Sequence, residues 1–136
     1  MELLEVVVAQ SVVRDADTNY ISLFNILDEM NSPTFPTVVP SLGMLTIFER
    51  IGDEEDPAAV QVRMRINDQV LHVTPLAVAF QGRARTRAIL TVHGLVLTAP
   101  GNLVFEVLMN NQAIGSWKVL VLNTGEVQTE AVGAVA

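Results

Sequence analysis

The sequence predicts an all-β protein: a single-domain antiparallel β-sandwich of about eight strands, of Ig-like or Greek-key type, with little helix. Three observations predict it. Strand-forming residues dominate, and turn signals interrupt them about every ten residues, the rhythm of a sandwich or barrel. Val60, Val62, Met64 and Ile66 alternate with Gln61, Arg63, Arg65 and Asn67. That is the period of a strand with one buried face, whereas a helix would set apolar residues three and four apart. Finally, 136 residues suffice for one domain that buries about two thirds of its unfolded surface. At that size no staple is needed, and with no cysteine none is available from thiols.

The first run covers residues 3–14 and is broken by Asp15, Ala16, Asp17, Thr18 and Asn19. Residues 20–30 form the second, although Leu23, Ile26, Leu27 and Met30 also satisfy a helical period. Asn31, Ser32 and Pro33 close it, and Pro36 and Pro40 keep the next stretch irregular. Strand character resumes at residues 41–51 and ends in an acidic loop, residues 52–57.

The alternating run at residues 60–66 turns at Asn67-Asp68, a two-residue hairpin of residues that tolerate positive φ. The register places Met64 opposite Leu71 and Val62 opposite Val73 on the apolar face, with Arg65 opposite Val70 and Arg63 opposite His72 on the other. A sixth strand spans residues 83–98 and turns at residues 99–102. The last hairpin joins residues 103–109 to 113–122. A two-residue Asn110-Asn111 turn is possible. A three-residue loop gives better faces, with Phe105 opposite Trp117, Val107 opposite Gly115 and Leu103 opposite Val119. The domain thus covers residues 1–122, and residues 123–136, poor in aromatics, read as a C-terminal tail.

The order of these signals, an Asp-rich turn, then "ISLFNILDEM", then Phe35-Pro36, then "APGNLVFEVLMNNQAIGSWKVLV", resembles a family of short bacterial proteins catalogued as a domain of unknown function. The resemblance reaches to Val121 and implies a β-sandwich. It rests on strand-and-turn patterns and implies no activity. The chain departs from it at Asn110-Asn111, where that family prefers Asp-Gly, and at Leu103, where an aromatic is usual.

Composition narrows the function classes. A net charge of −7 opposes non-specific binding to nucleic acid, which needs a positive field. The start Met1-Glu2-Leu3-Leu4-Glu5 is wrong for a signal peptide's basic region, and no apolar stretch reaches the roughly 20 residues that span a bilayer. The expectation is a cytoplasmic protein with no membrane partner and no nucleic-acid partner. No serine sits in a Gly-x-Ser-x-Gly context and no glycine loop could cradle phosphate, so no enzyme and no cofactor is expected.

Several constellations compete as sites. Asp15, Asp17 and Asn19 have the oxygen spacing that opens a calcium loop, but Tyr20 stands where glycine is required and Ile26 where a bidentate glutamate should be. An Asx-stabilised turn is the bland reading. Those carboxylates could instead join Asp53, Glu54, Glu55 or Asp56 in a ligand or calcium site at one end of the sandwich. His72 and His93 lie in different strands, the first on the surface and the second half-buried.

The most informative pattern is basic. Arg63 and Arg65, then Arg83, Arg85 and Arg87, make up five of the chain's eight Lys and Arg residues and are spaced by two. This spacing sets them on strand faces as an anion or partner surface. Alternatively, their heads sit in water or on Glu49 or Glu106. With aromatics at 5%, the stacking platforms of single-strand binders are missing. Half the residues are hydrophobic, and Val104, Leu108 and Ile114 fall on the half-polar outer face of the last hairpin. These features lead to a non-catalytic module acting through protein association, first as a homo-oligomer, with another protein as a further partner.

Overall fold

Nine strands alternate between two sheets in the computed structural model, which describes residues 1–53, 56 and 58–124. They are β1 (Glu2–Arg14), β2 (Ile21–Ile26), β3 (Glu29–Ser32), β4 (Thr37–Glu49), β5 (Ala58–Ile66), β6 (Gln69–Val78), β7 (Arg85–Leu97), β8 (Gly101–Met109) and β9 (Gln112–Asn123). One sheet has the order β2-β1-β4-β7 and the other β3-β9-β8-β5-β6. The all-β sandwich is therefore as the sequence predicts. The tail expected from residue 123 lies, from residue 125 onward, outside the described residues, as do Glu54 and Glu55 of the acidic loop.

The ninth strand comes from the run at residues 20–30, which is two strands in different sheets. The Leu27 N–H donates to the Val8 carbonyl in one sheet, and the Asp28 carbonyl accepts from Leu120 in the other, both at 2.9 Å. The chain crosses between sheets within those two residues, and the Trp117 indole N–H anchors the crossing on the Leu27 carbonyl at 2.7 Å. β3 then runs parallel to β9, the one exception to antiparallel pairing in the described ladders. Of the stretch expected to be irregular before residue 41, residues 33–36 are bends, as expected, whereas residues 37–40 already belong to β4. Pro40 lies inside β4, beyond Ala9↔Gly43 where β1 stops pairing with it, so its missing N–H costs no ladder bond on that side.

Both hairpin turns are two-residue turns followed by a bulge. At Asn67-Asp68 the register begins as predicted, with Arg65 opposite Val70, and then slips by one at Leu71. Met64 consequently faces His72, and Arg63 faces Val73, in place of the expected Leu71 and His72 pairs. The slip has a hydrophobic cause. Leu76 and Val78 are buried, whereas Val73 is 44% exposed. Leu71 also packs inward, and its spacing of five from Leu76 can share a face only if one residue bulges.

In the last hairpin, Asn110 and Asn111 both adopt positive φ (53° and 64°), giving a two-residue turn. A bulge at Ile114 then restores the predicted pairs Phe105–Trp117, Val107–Gly115 and Leu103–Val119. The expected register is present, produced by a shorter turn plus one extra residue.

The core lies between the sheets. Phe48, Phe80 and Phe105 are fully buried beside Met44, Met64 and Leu103. Each large apolar side chain so placed contributes about 1.5–3 kcal/mol. Thr46, the buried polar residue of β4, gives its hydroxyl to the Ala88 carbonyl at 2.8 Å.

Beyond Ala9 the β1–β2 hairpin folds over the outer face of its own sheet. Leu42 and Met44 point into the core, so Gly43 points outward, and Val12 lies on it. A Cβ at Gly43 would sit 2.8 Å from the Val12 methyl, so the close approach requires glycine. The hairpin turn then reaches β7, where Arg87 donates to the Asn19 carbonyl at 2.9 Å.

Candidate functional site

Four of the five arginines stand on strands, two in each sheet, and Arg83, expected at the start of the sixth strand, lies in the loop before β7. Arg63 and Arg65 point outward from β5, because Val62, Met64 and Ile66 are buried. Their register neighbours on β8 are Glu106 and Val104. Both Nε–H groups donate to one oxygen, Glu106 Oε1, at 3.0 and 2.9 Å. Burial works to raise the Glu106 pKa, and the hydrogen bonds and charges of the two guanidinium groups outweigh it, holding the carboxyl below its ordinary range. This end of the basic pattern is thus a neutralising cluster.

The association face expected at Val104, Leu108 and Ile114 is not an exposed patch. Val104 and Leu108 are 5% and 6% exposed, and Ile114 packs partly against the core. β8 is a central strand, and the long side chains of Arg65 and Lys118 flank Val104 in register. The exposed apolar groups of this outer face sit on flanking strands instead, at Val70, Val73 and Leu120.

Arg83, Arg85 and Arg87 meet a different environment. They line a cleft of about 640 Å³ together with Arg14 and Asn19, between the β1–β2 turn and the β6–β7 loop. Arg85 places its Nε 3.1 Å from Glu49 Oε2 in an exposed pair. With its amide oxygen turned toward the guanidinium groups, Asn19 accepts from Arg87 at 2.7 Å and from Arg83 at 3.3 Å. Both glutamates expected as partners, Glu49 and Glu106, are therefore used, but Arg83 and Arg87 converge on a neutral amide. Arg14 gave no sequence signal, since it belongs to a distant hairpin and falls outside the spacing by two.

Two of the acids proposed for calcium, Asp15 and Asp56, accept from backbone N–H groups. Asp15 Oδ1 accepts from the N–H groups of Asp17 at 2.8 Å and Thr18 at 2.9 Å. Thr18 and Asp17 thereby hold the Asp15 carboxyl below the usual range. This is the Asx turn. Asp56 accepts from the Phe80 and Gln81 N–H groups, each at 2.8 Å, and so pins the β6–β7 loop. Among the described residues no group of three or more His, Cys, Asp or Glu stands placed to hold a metal ion.

A second cleft, of about 550 Å³, opens between the edge strands β6 and β7 and is lined by both histidines. His93 is exposed, not half-buried as its sequence neighbours suggest, because it stands next to Gly94 at φ 69° on a free edge.

With the fold and these surfaces described, comparison with known families gives one result. A model of the family of unknown function DUF6941 matches residues 5–122. The chain belongs to that family. The match covers β2 through β8 entirely and nearly all of β1 and β9, in agreement with the resemblance read from its strand-and-turn order. No curated protein matches the chain. Among the described residues no helix is long and apolar enough to cross a membrane. DUF6941 membership brings no activity, so function must be read from the surfaces themselves.

Proposed function

We propose that this domain is a non-catalytic module that works by protein association, with the free edge of β7 as its contact and a second copy of the chain as its first partner. One observation carries the reading. β7 is a 13-residue strand at the end of its sheet, and from Ala88 to Leu97 it contains no proline and no lysine, devices that protect an edge from pairing, its one positive-φ residue being Gly94. The other edges are protected. β6 carries Pro75 and the bulge at Leu71, β2 has only six residues, and β3 has four.

Charge favours self-pairing. An antiparallel twofold near Thr91 sets Arg85 opposite Leu97 and Arg87 opposite Leu95 of the other copy, so no like charges oppose one another. Because each chain carries −7, salt that screens the overall repulsion strengthens the pairing.

Light scattering at high micromolar concentration tests this. The expected result is a dimer, reduced to a folded monomer by Thr91→Lys with Val96→Lys, two exposed edge positions. A strict monomer in the unsubstituted protein removes the proposal.

A further inference from the structure

The cleft beside the β1–β2 turn combines four features that suit one chemistry. Arg14, Arg83, Arg85 and Arg87, half of the chain's eight Lys and Arg residues, line it, and no carboxylate is among the described residues that line it. Second, Arg83 and Arg87 donate to the same neutral oxygen of Asn19. Two guanidinium groups drawn onto one uncharged acceptor repel each other with nothing between them to offset the repulsion. Third, three of the described acids nearby are turned to other partners, Asp15 Oδ1 in its own turn, Asp56 on the β6–β7 loop and Glu49 on Arg85, and Asp17 is exposed on the turn outside the cleft lining. Finally, the site is held by fixed elements. Asn19 closes its turn through the Asp15 carbonyl at 2.9 Å, and the Thr86 hydroxyl ties β7 to the Ala79 carbonyl at 2.7 Å.

We infer that this cleft is a binding site for a small multivalent oxyanion, a phosphate or polycarboxylate compound of charge about −3, which replaces Asn19 as the common acceptor for Arg83 and Arg87. Planar guanidinium forks suit both kinds of oxygen cluster. Among the described residues three of the four arginines have no carboxylate partner, which sets the charge that the ligand must bring. The volume of about 640 Å³ admits a compound well beyond inorganic phosphate. The cleft beside the turn that the sequence offers as a cation site is thus lined by the opposite charge. The inference does not rest on edge pairing of β7, since the cleft is lined within one chain.

Titration calorimetry of the full chain with tripolyphosphate and with citrate, at low ionic strength, tests it. One equivalent of at least one probe is expected to bind, the tighter probe identifying phosphate or carboxylate as the preferred group. Arg83→Gln removes an exposed guanidinium that supports no strand, and it should weaken binding about tenfold, the loss of one charge-assisted hydrogen bond. Lys118→Gln removes the same charge from the other sheet and should change affinity by less than about twofold. No heat at millimolar concentrations of either probe overturns the inference. So does an equal loss in both variants, which would mark attraction to charge in general.

Discussion

Arg63 and Arg65 on β5 and Arg85 and Arg87 on β7 share the same spacing in sequence and end in opposite circumstances. The first pair closes on a carboxylate whose side chain is 10% exposed, and both partners donate to the same oxygen. The second pair has one exposed glutamate between them, on Arg85, and Arg87 turns to an amide and a carbonyl. A guanidinium whose charge is met inside the fold serves stability, and one left facing neutral oxygens keeps its field for something outside. The difference separates an arginine neutralised by a carboxylate from one that faces neutral oxygens, in a chain where residue type and spacing are identical.

The largest expected effect comes from breaking the neutralised side. Glu106→Ala leaves two part-buried guanidinium groups without their acceptor. A lost partner in a buried pair costs about 3–5 kcal/mol, reduced to about 2 kcal/mol here because the arginines reach solvent. Urea unfolding measures it. The same residue gives a pH signature. Its carboxyl is held below its ordinary value of 4.5, so the stability it lends is complete above that value and is lost as pH falls through the lower folded one. Glu106→Gln should flatten the acid limb of stability below about pH 4.5 relative to the unsubstituted protein. An unchanged limb would mean that the cluster contributes nothing to folding.

A smaller effect of opposite sign should follow when the unneutralised side is given what the other side has. Asn19→Asp places a carboxylate under Arg83 and Arg87, at a φ of 62° that aspartate tolerates. Stability should rise by about 0.5–1 kcal/mol, and tripolyphosphate affinity should fall. A gain in affinity would contradict the comparison. The smallest effect belongs to Glu49→Ala. Its pair with Arg85 is 38% and 68% exposed, and its loss should shift the urea midpoint by no more than about 0.5 kcal/mol in stability.

Much of the fold is legible residue by residue. Alternation at Val60, Val62, Met64 and Ile66 is reproduced as alternate burial on β5, because burial on one face of a pleated strand is a local demand. Asn67-Asp68 and Asn110-Asn111 are both turns, since asparagine accepts positive φ. The bulges at Leu71 and Ile114 were less visible. Only the five-residue step from Leu71 to Leu76 signals the first, and the second could be mistaken for a longer loop. The break at Leu27-Asp28 carries one turn-favouring residue, Asp28, and no Gly, Pro or Asn in those two positions to mark it. It exists because Val8, Leu120 and Trp117 supply hydrogen-bond partners from two different sheets.

The sequence by itself determines that this chain is a β-sandwich, where its main hairpins turn, and that Arg63, Arg65, Arg85 and Arg87 stand on strand faces. Backbone sterics and the burial of apolar groups act within a few residues, so their outcome can be read locally. Only the tertiary structure decides which arginines are neutralised. Glu106 lies 43 residues from Arg63, and Asn19 lies 68 from Arg87. Whether a charge meets a carboxylate or an amide at those separations depends on strand order and on how one hairpin folds across a sheet.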